Sequence, residues 1–186
     1  TVLVKGAVES RMEQVVAGLM AEPERSGQAL VRQDAAWRQI VVHQPDRPTW
    51  LEIDLGAVAA NVSLLAHLAA PAGLMAVLKA DAYGHGAVQV AHTALRNGAS
   101  WIGVACLSEG EALRRAGIDA PVLVLGYTPA WQARDAVRLG LSVAVFDSDT
   151  AQALAQAAQA VQRTARVHLR VDTGMHRLGA PLDRAP

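Results

Sequence analysis

The sequence of 186 residues is short of several things, and each shortage excludes something. It has one cysteine, Cys106, so it has neither a disulfide framework nor a cysteine zinc site, and a reducing compartment suits it. It has no excess of either charge. Its 17 basic residues match 17 acidic ones, which removes the basic surface that non-specific nucleic-acid binding needs. No apolar run reaches the roughly 18 residues of a membrane span. Lysine is nearly missing: 15 of the basic residues are arginine, and only Lys5 and Lys79 are lysine. Where generic positive charge has drifted to arginine, a remaining lysine is a candidate for a position that needs an amine; chance is the bland alternative. Hydrophobic residues at 52% against 18% charged exclude a disordered chain. There is no initiator methionine, and Pro186 follows no terminating element, so an interior piece of a longer protein is expected. The opening Thr1–Gly6 has no secretory pattern, which makes the cytoplasm the expected compartment, with no membrane, nucleic-acid or metal partner.

Residues 1–20 read as a strand, Thr1–Lys5, followed by a helix with Met12, Val15, Val16, Leu19 and Met20 on one face. Residues 21–46 read as a linker punctuated by Pro23, Gly27 and Pro45, with an apolar patch at Ile40-Val41-Val42. From residue 47 onward the pattern becomes regular. Trp50–Asp54 alternates like a strand and Leu55–Ala69 reads as a helix. Strands of about five residues then alternate with helices of about ten to fourteen, ending on a strand at Arg166–Val171. Ser108 and Glu111 form the expected capping box of one helix, and Asp147 or Ser148 caps another. The pattern predicts an α/β fold of repeated βα units around a parallel sheet. The candidates are an open doubly wound sheet and part of a (β/α)8 TIM barrel, about five of eight units, after an N-terminal strand–helix extension. No Gly-x-Gly-x-x-Gly follows the first strand, which weakens the first candidate.

Both architectures place chemistry at the carboxyl ends of strands. That selects Lys79–Gly86 and Asp172–Gly179. Lys79 ends a strand whose preceding residues are all apolar. Low-dielectric surroundings favour a neutral amine, which Schiff-base chemistry needs; the alternative is a lysine that snorkels outward. Tyr83 and the glycine-flanked amides that follow it suit a phosphate, or form an ordinary turn in which Gly84 and Gly86 supply the bends. Arg177, in a glycine-rich loop, suits a carboxylate, phosphate or phenolate, or is a solvated loop arginine. A lone His85 reads as a surface hydrogen-bonding residue, and Cys106 as a buried small hydrophobe.

These segments resemble a family. Leu78-Lys79-Ala80-Asp81-Ala82-Tyr83-Gly84-His85-Gly86 resembles the cofactor-lysine signature of alanine racemases, the fold-type III pyridoxal-phosphate enzymes. Arg47 through Asn61 resembles the family's opening strand and helix, and Trp101 through Arg114 its second βα unit. Val167 through Gly179 resembles its fifth strand and substrate loop. The resemblance covers residues 47–180, within a barrel part spanning 47–186. Residues 1–20, at lower specificity, resemble the closing strand and helix of the ligase that adds D-alanyl-D-alanine to the muramyl tripeptide, as in a fusion of the two enzymes.

The resemblance implies interconversion of L- and D-alanine for peptidoglycan synthesis. Lys79 would hold pyridoxal 5′-phosphate covalently and act as one of two bases, Tyr83 would bind the cofactor phosphate, and Arg177 would lie by the phenolic oxygen and the substrate carboxylate. It implies a cytoplasmic homodimer, with the second base supplied from outside this chain, so the 186 residues alone are expected to be inactive. Two departures stand out. Arg170 occupies a position where many members carry a carbamylated lysine, and His176 one that is commonly glycine. The alternatives are a racemase or aldolase for another amino acid on the same scaffold, and a non-catalytic pyridoxal-phosphate carrier.

Overall fold

The structure is a computed structural model that describes residues 39–43 and 50–182. The expected strand and helix at 1–20 and most of the 21–46 stretch lie outside the described residues. The chain divides into two units, residues 1–56 and 57–186.

In the first unit, β1 (Gln39–His43) pairs antiparallel with β2 (Trp50–Asp54), in a register that sets Ile40 opposite Ile53 and Val42 opposite Leu51. The stretch read as a linker therefore contains a strand. Its Ile-Val-Val run has high strand propensity, and β2 supplies the ladder partners such a run needs.

In the second unit, five parallel strands form one sheet: β3 (Leu74–Val77), β4 (Ala99–Val104), β5 (Val122–Val124), β6 (Ser142–Val145) and β7 (Arg166–Leu169). Their spatial order is their chain order. A doubly wound sheet reverses its order at a switch point, and this one does not. The strands are joined by α2 (Ala87–Arg96), α3 (Leu107–Arg115), a 3-10 turn (Ala130–Gln132) leading into α4 (Ala133–Arg138), and α5 (Ser148–Val161). Helix α1 (Leu55–Ala69) precedes β3.

The sheet has two faces because strand side chains alternate. On the helix side, Ile102, Val104, Val122, Val124 and Val143 are fully buried. Leu113, Leu141 and Leu154 are buried with them. Each such side chain contributes about 1.5–3 kcal/mol. Gly110 lets α3 close on Leu141: a Cβ there would stand 2.9 Å from a Leu141 methyl. On the other face, the missing Cβ of Gly103 leaves room for Leu125, Met75 and Val77.

Two expected caps resolve differently. Asp147 is the N-cap of α5, its carboxylate accepting from the Thr150 N–H at 2.7 Å and the Thr150 hydroxyl at 3.0 Å. The Ser108–Glu111 capping box does not form. Cys106 is the N-cap, in extended conformation and without a side-chain bond to the helix backbone, so the cap lies two residues before Ser108 and Ser108 falls inside the first turn. Glu111 instead pairs with Arg115 at 2.6 Å on the helix surface.

Candidate active site

The residues around Lys79 take an unusual path. The last backbone rung between β3 and β4 is the Leu78 N–H donating to the Gly103 carbonyl at 2.7 Å. Beyond Lys79, four consecutive non-glycine residues, Ala80 to Tyr83, have φ between 53° and 57°. This is a left-handed turn, which costs L-residues about 1–2 kcal/mol each. It is held from several sides. The Ala82 N–H donates to Leu78 O at 2.9 Å, and the Gly86 N–H to Asp81 O at 3.0 Å. His85 Nδ1 donates to Ala82 O at 2.8 Å, which is the exposed hydrogen-bonding role expected of it. The Asp81 carboxylate accepts from the Ala87 N–H at 2.7 Å, at the start of α2. Gly84 and Gly86 supply the bends, with φ of 85° and 86°. Backbone strain maintained in this way by its surroundings is typical of functional sites.

The turn delivers a half-buried Lys79 to an open cavity of about 610 Å³ at the carboxyl ends of the strands. Three cations line it, Lys79, Arg170 and Arg177, with no carboxylate among the described lining residues. Leu123, Leu125 and Ala144 supply apolar wall. The cavity is therefore built for an anionic molecule with a flat or apolar body. Gly126 belongs to its lining too. There the chain passes so close to β4 that a Cβ would meet the Ala105 carbonyl oxygen at 2.3 Å.

Arg170 follows β7 and reaches back across the sheet, its Nη1 donating to the Leu125 carbonyl at 3.0 Å. Arg177 is carried by a loop tied at its base: the Ala180 N–H donates to Arg170 O at 2.8 Å and the Asp172 N–H to Ala180 O at 2.9 Å. Inside the loop, the Asp172 carboxylate accepts from the N–H groups of Gly174 and His176, both at 3.0 Å, and meets His176 Nδ1 at 3.1 Å. The His176 and Gly174 amide bonds hold the Asp172 carboxyl below the usual carboxylate value. His176 has φ of 53°, a conformation that glycine adopts more easily, which gives a physical reason for glycine at this position.

The structure thus brings Lys79 and Arg177 to one cavity. Tyr83 is exposed and outside the cavity lining, but its ring centroid is 5.7 Å from Lys79 Nζ, within cation–π range. Cys106 is exposed rather than buried, with its Sγ 3.2 Å from Ser108 Oγ. It sits where the chain leaves β4 for α3, not within the apolar strand. Three contributors escaped sequence reading. His168 lines the cavity and meets Trp101 edge-on at 5.4 Å between centroids; alternation along β7 was the signal for it. Glu109 bonds both Ala80 and Ala105; it stands at the third helical position once α3 is started at Leu107. The Arg170–Leu125 bond had no sequence signal.

Fold and site together define a class: a parallel α/β domain with a lysine-bearing anion cavity at the carboxyl ends of its strands. Comparison with known proteins narrows this. The family model for the alanine racemase N-terminal domain matches residues 53–186, and the chain belongs to that family. It is 53% identical to an alanine racemase of Symbiobacterium thermophilum over 133 residues, 72% of this chain and 35% of that protein. It is 53% identical to one of Desulfosudis oleivorans over 135 residues, 72% of this chain and 35% of that one. The chain therefore spans about a third of the length of these curated relatives. Among solved structures, an alanine racemase from Streptomyces coelicolor A3(2) matches with a TM-score of 0.66 at 41% identity, over 69% of this chain and 34% of the other.

Proposed function

We propose that the full-length protein interconverts L-alanine and D-alanine using pyridoxal 5′-phosphate held at Lys79. The observation that carries this is the meeting of the Lys79 amine with Arg170 and Arg177 in one cavity that has no carboxylate in its described lining. The donor set fits the cofactor: an amine for its aldehyde, guanidinium groups for its anionic oxygens, and an apolar wall for its ring. Bound there, pyridoxal phosphate supplies an electron sink that acidifies the α-proton of an amino acid. The protein's own residues do the rest. Lys79 Nζ would hold the cofactor and would serve as the base that takes or returns the α-proton on one face. Tyr83, exposed beside Lys79 and outside the cavity lining, would donate its hydroxyl to the cofactor phosphate. The Arg177 guanidinium, presented by its tied loop, pairs with the alanine carboxylate. Arg170 brings a second positive charge where the family resemblance leads one to expect a carbamylated lysine, and its bond to the Leu125 carbonyl sets its direction.

The same reading makes the five parallel strands the first five of eight in a (β/α)8 barrel, which their monotonic order supports. The remaining strands, a second catalytic base and a partner subunit would come from outside this chain. The protein would work as a cytoplasmic homodimer feeding cell-wall synthesis, with residues 1–20 the tail of a muramyl ligase domain fused ahead of it by the linker at 21–46. The antiparallel β1–β2 pair ahead of the parallel sheet favours a two-domain racemase over a one-domain cofactor carrier.

The test is racemisation of L-alanine by the full-length protein and its Lys79→Ala variant. The variant is expected to lose at least about a thousandfold in rate and to lose borohydride-trapped cofactor. Cofactor trapped equally well without Lys79 would refute the assignment. Faster turnover of serine or lysine than of alanine would move the substrate.

A further inference from the structure

The peptide hydrogen immediately after Lys79 has lost its sheet partner. Leu78 makes the last backbone rung to β4, and the left-handed turn then carries the Ala80 N–H out of the ladder. Glu109 takes its place. Its Oε1 accepts from the Ala80 N–H at 2.7 Å, and its Oε2 accepts from the Ala105 N–H, also at 2.7 Å. The Ala105 carbonyl is already engaged by the Gly126 N–H at 3.1 Å. One half-buried carboxylate therefore spans the tips of two neighbouring strands and adds a side-chain rung where the backbone ladder ends. Its place in the first turn of α3 suits a negative charge, and its reach back past the N-cap resembles half a capping box.

The consequence falls on Lys79. Its backbone is pinned on both sides, through Leu78 to Gly103 and through Ala80 to Glu109. The other bonds of the turn act from Asp81 onward or between Ala82 and Leu78, so Glu109 is the tie on the peptide hydrogen next to the amine-bearing residue. We propose that Glu109 is a positioning residue for Lys79, fixing the direction from which the amine meets cofactor and substrate. The inference rests on the function proposed above and extends it to a residue outside the cavity lining.

The test compares the full-length protein with its Glu109→Gln and Glu111→Gln variants. A glutamine at 109 offers one acceptor and turns an NH₂ toward the other N–H. Glu111, paired with Arg115 on the surface of the same helix, controls for a lost helix charge. In cofactor-free protein, the Ala80 amide of Glu109→Gln should exchange with solvent about tenfold faster than in wild type. With pyridoxal phosphate added, covalent capture followed by absorbance should slow. The kcat for alanine should fall about 100-fold, the cost of a misplaced reacting group, with KM changed far less. Glu111→Gln should match wild type in all of these. A Glu109→Gln protein that melts earlier but keeps wild-type kcat and capture would overturn the inference, leaving Glu109 a structural tie. A wild-type protein that neither captures the cofactor nor racemises alanine would overturn the underlying function, and the inference with it.

Discussion

Arg114 shows how much one side chain can organise away from the cavity. Its Nε donates to Leu139 O at 2.9 Å, and its Nη1 to Ile118 O at 2.5 Å and Ala120 O at 2.9 Å. It ties the turn after α3 to the turn after α4. Burial draws its pKa below the ordinary arginine value, with Asp119 opposing the shift. Replacement by leucine would leave several carbonyls without partners, and Arg114→Leu is expected to destabilise the domain by about 2–4 kcal/mol in urea unfolding; a loss within experimental error would contradict this. The sequence marks Arg114 as one of 15 arginines and as the end of a family-like segment, but not its role, because its acceptors are backbone carbonyls, which carry no residue signature. Lys79 was legible for the opposite reason: it is one of two lysines, at the end of an apolar strand and within a family motif. Glu109 was hidden by a shift of two residues in the N-cap of α3, which drew attention to Ser108 and Glu111 instead.

At the scale of elements, two carboxylates make predictions of different kinds. Asp147 caps α5, and Asp147→Ala is expected to cost about 1 kcal/mol, read as a lowered denaturation midpoint with unchanged slope. Asp172 organises the loop that carries Arg177. Its pKa in the folded chain lies below the ordinary value of 3.8, so the unfolded chain binds more protons between the two values. The loop's order should be intact above pH 3.8 and be lost as pH falls through the depressed value. Amide exchange at Gly174 and His176, followed from pH 5 down to pH 2 and corrected for intrinsic rates, should lose protection at the acid end; protection unchanged to the lowest pH would contradict it. The helices and strands were largely legible, since their periods of 3.6 and 2 are written into the apolar residues. The left-handed turn was not. Ala80 to Tyr83 contain no glycine, so nothing in their side chains announces a conformation imposed by Glu109, His85 and the strand end.

At the scale of the molecule, the parallel sheet has one well-covered middle and, among the described residues, no further strand paired to β3 or β7 at its edges. β7 is exposed at all four positions, with Val167 and Leu169 about half exposed, while β5 is buried at all three. Open edge strands of this kind invite further pairing, and on the barrel reading β3 and β7 would be joined through the remaining strands. The sequence could suggest a barrel or a doubly wound sheet because βα spacing is common to both. Only the strand order separates them, and strand order is a long-range property that spacing does not encode. The central claim is that Lys79 is the residue that holds the cofactor. It is tested most directly by incubating the full-length protein with pyridoxal 5′-phosphate, reducing with borohydride, and mapping the modified peptide by mass spectrometry. The phosphopyridoxyl mass is expected on Lys79. Stoichiometric modification at another residue, with Lys79 unmodified, would contradict it.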